Sequence, residues 1–137
     1  MRIAIITGGR NYKRPDLVYR CLERLDPDLV IDGDSGVVDK AAKGWAQLHG
    51  KLRHAYPAEW KRHGGPKAGP FRNRTMACVG ALLRDLSHDP HEVHAVAFPG
   101  HRGTSNCCKE LTERGFRVLD GEVLANTGLH QLFEGWR

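Results

Sequence analysis

The chain has 137 residues, of which 27% are charged and 40% hydrophobic, and its formal net charge is +5. This length favours a single domain over residues 1–137 that can bury a core without disulfides or metals. No apolar run approaches the roughly 18 residues of a membrane span, and residues 3–7 read as a strand rather than a signal peptide, so we expect a cytoplasmic protein without a membrane partner.

The cysteines show no spacing typical of a disulfide framework or a zinc site. They are Cys21, Cys78, Cys107 and Cys108, with no CxxC pair among them. Cys21, Cys107 and Cys108 fall at apolar helical positions, so we expect them to face the core. The histidines of a polar break, His88, His91 and His94, favour an exposed turn over a metal site. No metal is predicted.

Strands and helices alternate along the chain. Apolar runs predict strands over residues 3–7, 29–31, 51–56, 93–98 and 116–119. Helical spacing predicts helices over residues 15–25, 37–46, 70–86 and 104–115, the last capped by Thr104 or Ser105, and a short helix over 129–136. Residues 61–70 read as a loop. This order predicts an α/β, Rossmann-like domain with a parallel sheet and helices on both faces.

Three predicted strands end in turns of small residues, at 8–9, 33–36 and 100–104. Because the carboxyl ends of parallel strands share one edge of the sheet, the turns predict a ligand cleft there. Arg10, Arg72 and Arg102 fall near it, and guanidinium groups suit phosphate. Neither GxGxxG nor GxxxxGK[ST] is present, so no standard dinucleotide or triphosphate motif supports the site.

Four blocks of sequence in a fixed order carry a family resemblance. They read Thr7-Gly-Gly-Arg10; Gly33-Asp-Ser-Gly-Val-Val-Asp39, with Ala42 and Trp45-Ala46; Pro57-Ala-Glu-Trp60 leading to Ala68-Gly-Pro-Phe-Arg-Asn-Arg-Thr-Met76; and Ala97-Phe-Pro-Gly-His-Arg-Gly-Thr104. Over residues 1 to about 119 the chain resembles the SLOG superfamily, most closely its YspA-like, cpYpsA-related branch of bacteria and phages. That superfamily also contains the Lonely Guy phosphoribohydrolases and, more distantly, the DNA-processing protein of natural transformation.

The resemblance implies a Rossmann-like fold that binds a nucleotide or a nucleotide-derived ligand related to ADP-ribose or NAD. The residues that match the family blocks are Gly8, Gly9, Arg10, Gly33, Asp39, Arg72, Asn73, Gly100, Gly103 and Thr104. The turn residues Asp34, Ser35, His101 and Arg102 complete the predicted ligand site. No cofactor besides the ligand is predicted, and the oligomeric state, a homo-oligomer included, stays open.

The chain departs from the family pattern at three positions. In the Lonely Guy hydrolases a PGGxGTxxE block supplies a glutamate that works with an arginine on the N-glycosidic bond, and Cys107 stands at that position here. Glu110 lies three residues further on, so enzymatic activity stays open. His101 replaces the second glycine of the block and faces either ligand or solvent. Val37 stands where a small residue is usual.

Three functions stay open, and the sequence supports them in descending order. The first is a sensor or sequestering protein for the nucleotide-derived ligand. The second is a hydrolase of an N-glycosidic or phosphate bond that uses Asp34, Asp39 or Glu59, although Asp34 or Ser35 can instead cap a helix and Asp39 can pair with a basic residue. The third is a single-stranded nucleic-acid binder, disfavoured by dispersed basic residues and few aromatic platforms.

Arg72 is the arginine with the most specific expected role. A helix that begins near Pro70 puts it in the first turn, where the dipole disfavours a cation unless an anionic ligand offsets the cost. The alternative is a surface arginine paired with a carboxylate. As a phosphate ligand, Arg72→Ala is predicted to weaken nucleotide binding by at least ~10-fold with little change in unfolding temperature, and Arg74, on another face of the helix, is the control.

Overall fold

A computed structural model describes residues 1–59, 65–86 and 88–127. Its strands are β1 (Arg2–Thr7), β2 (Leu29–Asp32), β3 (Leu52–Ala55), β4 (Glu92–Ala97) and β5 (Leu119–Asp120). They form one sheet in the order β3-β2-β1-β4-β5, in which every neighbouring pair is parallel. The predicted α/β class with a parallel sheet is confirmed.

Helices cover both faces of the sheet. They are α1 (Pro15–Leu25), α2 (Val37–Leu48), α3 (Ala68–Arg84), α4 (Arg102–Glu113) and α5 (Gly121–Asn126), and a 3-10 turn over Gly65–Lys67 precedes α3. Ala4 and Ile6 of β1 pack in one core with α1, α2 and α5. Ile3 and Ile5 pack in a second core with α3 and α4. The central strand is therefore buried on both faces, which explains its unbroken apolar run.

The C-terminal part differs from the prediction. Only Leu119 and Asp120 pair with β4, because Phe116 donates its backbone N–H to the Leu111 carbonyl and stays part of the end of α4. The short α5 was not predicted. It begins where the Asp120 carboxylate accepts hydrogen bonds from the backbone N–H groups of Glu122 and Val123. The helix predicted over 129–136 lies outside the described residues.

Two helices begin earlier than predicted. α3 begins at Ala68, so Arg72 lies in its second turn, and residues 65–70 of the predicted loop are helical. α4 begins at Arg102, because the His101 carbonyl already accepts from Ser105 N–H at 3.0 Å. The predicted cap at Thr104 or Ser105 was therefore wrong.

The three cysteines expected in the core differ in burial. Cys21 and Cys107 are fully buried, as predicted. Cys108 is only half-buried, because the next position of α4 turns away from the sheet.

Candidate functional site

A cavity of about 770 Å³ opens at the carboxyl edge of the sheet. The order of the strands reverses between β1 and β4, which is where open α/β sheets bind ligands. Its volume lies within the usual range for small-molecule sites, roughly 300–1,000 Å³. Twelve of the fourteen predicted site residues line it: Gly8, Gly9, Arg10, Gly33, Ser35, Asp39, Arg72, Asn73, His101, Arg102, Gly103 and Thr104.

The other two predicted residues lie outside the cavity lining. Asp34 adopts a left-handed backbone conformation with φ of 52°, and its exposed carboxylate accepts a hydrogen bond from Arg53 at 3.2 Å. Gly100 packs against the first turn, where an added Cβ would lie 2.8 Å from the Gly9 nitrogen. Gly100 therefore holds two turns together from behind the cavity.

Sequence reasoning missed eight lining residues: Ile6, Thr7, Asn11, Pro66, Gly69, Pro70, Met76 and Asn106. Asn106 had a usable signal, because it follows Gly103 at helical spacing and so shares its face. The sequence also indicated Ile6 and Thr7, since they are the last residues of a strand whose end was already assigned to the cleft. Pro66 and Met76 are brought there only by the packing of α3.

Close backbone contacts join the turns around the cavity. Gly9 N–H donates to the Pro99 carbonyl at 2.9 Å and so links the ends of β1 and β4. A Cβ at Gly9 would lie 2.7 Å from that carbonyl oxygen, and one at Gly8 would lie 2.6 Å from Cγ2 of Val38 on α2. Both contacts require glycine, so the pair serves close approach between elements.

Two glycines of the cavity make a matched test of this packing. Gly9→Ala should lower the free energy of unfolding by about 1–3 kcal/mol, because the added methyl group overlaps a fixed carbonyl. Gly103→Ala meets open space within α4 and should be neutral or stabilising by up to about 1 kcal/mol. Urea denaturation of both variants checks this, and equal losses would contradict the assigned contact.

The N-terminus of α4 faces the cavity, and no described side chain caps it. His101 makes no side-chain cap hydrogen bond, and the first turn carries no acidic residue. The N–H groups of a first helical turn have no intrahelical acceptor and lie at the positive end of the dipole. Among the described residues, the side chains of Arg10 and Arg102 have no hydrogen-bond or ion-pair partner. This end of the cavity is therefore suited to an anion.

Arg72 also lines the cavity, but it already has partners in the fold. Its Nη1 donates to the Gly33 carbonyl at 2.5 Å, and its Nε donates to Oδ1 of Asn73 at 2.7 Å. Asn73 is buried and donates in turn to the Gly103 carbonyl and to Oδ1 of Asn106. Arg72 and Asn73 thus tie the turn after β2 through α3 to α4. In the part of the chain that the structure describes, no carboxylate lies within ion-pair distance of Arg72.

Asp39 is a buried carboxylate at the cavity wall, with 6% of its surface exposed. Its Oδ2 accepts hydrogen bonds from Ser35, at 3.0 Å from the backbone N–H and 3.1 Å from the hydroxyl. The alternative that Asp34 or Ser35 caps α2 was wrong, because Gly36 is the N-cap residue and no side-chain capping hydrogen bond is made there. Asp39 instead holds Ser35, the residue before the N-cap, in place.

Burial, and after it the neighbouring Asp32 carboxylate, raise the pKa of Asp39 to about 6, although the Ser35 hydrogen bonds and the Arg72 charge act in the opposite direction. Asp32 is fully buried, and Arg53 donates to both of its carboxylate oxygens at 2.7 Å. Asp32 therefore has its own counter-charge. Asp39 has none within ion-pair distance among the described residues.

The position of the hydrolase glutamate offers no substitute group. Cys107 is buried outside the cavity lining, and burial raises the pKa of its thiol to about 11, so the thiolate is not formed at neutral pH. The Glu110 carboxylate accepts from Nη1 of Arg114 at 2.7 Å and does not line the cavity. Glu59 is exposed and also lies outside the lining.

Two further properties hold for the described ranges 1–59, 65–86 and 88–127. No group of three or more histidine, cysteine, aspartate or glutamate side chains there is arranged to hold a metal ion. No helix there combines the length and the apolar character needed to cross a membrane.

Comparison with known proteins found no match to this chain among family models, curated proteins or solved structures. The resemblance to the SLOG superfamily therefore stays a prediction, and the site is characterised by its own geometry.

Proposed function

We propose that the cavity binds a nucleotide or nucleotide-derived ligand of the ADP-ribose or NAD-related type, and that the protein acts as a sensor or sequestering protein for it. The observation that carries the proposal is the uncapped N-terminus of α4, which faces the cavity beside two guanidinium groups without described partners. A phosphate would supply the acceptors that these donors lack.

The rest of the cavity suits the remainder of a nucleotide. Met76, Pro66 and Pro70 add apolar surface to the lining, against which a flat base can pack. Gly8 and Gly9 also line the cavity, so they present backbone to its phosphate end. Binding without turnover is favoured because Cys107 and Glu110, at and near the place of the hydrolase glutamate, both lie outside the cavity lining.

The arginines at the phosphate end provide the test. Arg10→Ala and Arg102→Ala should each weaken binding of ADP-ribose by about 10-fold, since each removes a charge-assisted hydrogen bond to phosphate. Arg74→Ala is the matched control, because Arg74 is exposed on α3 and does not line the cavity, and it should change the affinity less than ~2-fold.

Isothermal titration calorimetry against ADP-ribose, NAD and AMP measures these affinities. Failure of all three to bind more tightly than about 100 μM would overturn the proposed function. Equal weakening by all three alanine variants would show a general effect of positive charge in place of a site.

One observation favours a second candidate, a hydrolase of the nucleotide N-glycosidic or phosphate bond. Asp39 lines the cavity with a pKa of about 6, so its carboxyl group can both give and take a proton near neutral pH. Chromatography of ADP-ribose and AMP after incubation with the protein tests this. Product that Asp39→Asn abolishes would support it, and product that survives both Asp39→Asn and Arg72→Ala would exclude this site.

A further inference from the structure

We propose that Asp39 recognises the ribose of the bound ligand by accepting hydrogen bonds from its hydroxyl groups. The site then prefers ribonucleotides to 2′-deoxyribonucleotides and disfavours a phosphate on the 2′ position. This inference rests on the proposed function and adds the class of sugar that the cavity selects.

The hydrogen bonds of Asp39 leave one oxygen for a ligand. Both bonds from Ser35 reach Oδ2, and no described residue donates to Oδ1. The side chain is 94% buried and lines the cavity, so its unpartnered oxygen has access to bound ligand but little to bulk water. Hydroxyl groups on a bound ligand would supply the donors that this oxygen lacks.

The position of Asp39 selects the sugar over the base. Its neighbour Val38 packs directly against Gly8 in the turn at the phosphate end of the cavity. Asp39 therefore stands beside the phosphate end, and the group that adjoins a phosphate in a nucleotide is the ribose. Asp39 lies in the first turn of α2, and the turn that joins β2 to this helix contributes Gly33 and Ser35 to the same cavity.

Charge at this position opposes a second phosphate. Asp39 and the neighbouring buried Asp32 are both carboxylates, and Arg53 already holds Asp32. Arg72 is the cation that acts on Asp39, but Nη1 and Nε of Arg72 donate to Gly33 and Asn73. A 2′-phosphate would thus meet the Asp39 carboxylate, while hydrogen bonds to Gly33 and Asn73 hold the Arg72 guanidinium in place.

The experiment compares three ligands by isothermal titration calorimetry: AMP, 2′-deoxy-AMP and adenosine 2′,5′-bisphosphate. The unmodified protein should bind AMP at least ~10-fold more tightly than either of the others. The 2′-hydroxyl that donates to Asp39 is missing from 2′-deoxy-AMP and is blocked by phosphate in the bisphosphate. Asp39→Asn should reduce both preferences to less than ~3-fold. Glu110→Gln, which removes an equally buried carboxylate outside the cavity, should keep both preferences.

The outcomes separate this inference from the function on which it rests. AMP that binds no more tightly than 2′-deoxy-AMP, or no AMP binding by a protein that binds ADP-ribose, overturns the ribose assignment alone. A preference that survives Asp39→Asn overturns the role of Asp39. The comparison of AMP with the other two ligands in the unmodified protein needs no variant, so it can overturn the ribose assignment even if a variant does not fold. Failure of AMP, NAD and ADP-ribose alike overturns the proposed function itself.

Discussion

Replacing Asp39 by asparagine should raise the free energy of unfolding at pH 7 by about 1–3 kcal/mol. Burial and the nearby Asp32 raise the pKa of Asp39 to about 6 in the folded protein, against about 3.9 in an unfolded chain. At about 1.4 kcal/mol for each pH unit between the two values, the ionised group destabilises the fold by up to about 3 kcal/mol. An asparagine oxygen can still accept from Ser35 without carrying that charge.

The pH dependence follows from the same difference. Between pH 4 and pH 6 the folded protein binds the Asp39 proton more tightly than the unfolded chain does, so stability falls as the pH rises through this window. Relative to Asp39→Asn, the unmodified protein should therefore lose stability between about pH 4 and pH 7. The two proteins should be about equally stable near pH 4.

Urea denaturation at several pH values measures this, and Glu110→Gln is the control. Glu110 is as buried as Asp39 but accepts from Arg114, so its replacement should lower stability at pH 7. An Asp39→Asn variant that is less stable than the unmodified protein at both pH 4 and pH 7 would contradict the prediction. It would show that the aspartate contributes more to stability through its Ser35 hydrogen bonds than the asparagine can.

Arg72→Ala should lower the free energy of unfolding by about 2–4 kcal/mol and weaken nucleotide binding by at least ~10-fold. The substitution removes the bonds from Arg72 to the Gly33 carbonyl and to the buried Asn73 side chain. It also removes the positive charge that acts on Asp39. The sequence predicted little change in unfolding temperature; we expect a larger change because Arg72 bonds the turn after β2 and Asn73, which in turn bonds α4.

Thermal unfolding and calorimetry on the same variants separate the two effects. Arg74→Ala should change the stability by less than about 0.5 kcal/mol, because the Arg74 side chain is 66% exposed and its nearest carboxylate contact is at 3.6 Å. Weaker binding with unchanged stability would show that Arg72 serves the ligand and not the fold. Equal losses of binding in Arg72→Ala and Arg74→Ala would overturn the assignment of Arg72 to the site.

The sheet and the position of the cavity were predictable for a geometric reason. An unbroken apolar run such as residues 3–7 occupies a strand buried on both faces, and β1 is that strand. Once the strands are parallel, their carboxyl ends share one edge, so turns far apart in the chain meet. Ser35 and Arg102 were located by that rule alone, and Arg10 by that rule together with the family resemblance.

The partners of individual side chains were not predictable in the same way. Nothing near Arg72 in the chain indicates that its guanidinium bonds the Gly33 carbonyl, because that contact depends on how α3 packs across the sheet. The sequence could not show that Oδ1 of Asp39 is free either, because this depends on both Ser35 hydrogen bonds reaching the other oxygen, Oδ2. The six-residue α5 is too short to show a helical period, and its cap at Asp120 gave the only local signal.

The strand order has a consequence for how the protein forms during synthesis. β1 pairs with β2, which follows soon after it, but Ile5 on its other side pairs with Ala95, far along the chain. Contacts between such distant segments form late, because the intervening chain must first be made and its ends brought together. The Gly9 bond to Pro99 depends on that last pairing. A nascent chain should therefore acquire its ligand site only after β4 and the start of α4 have left the ribosome.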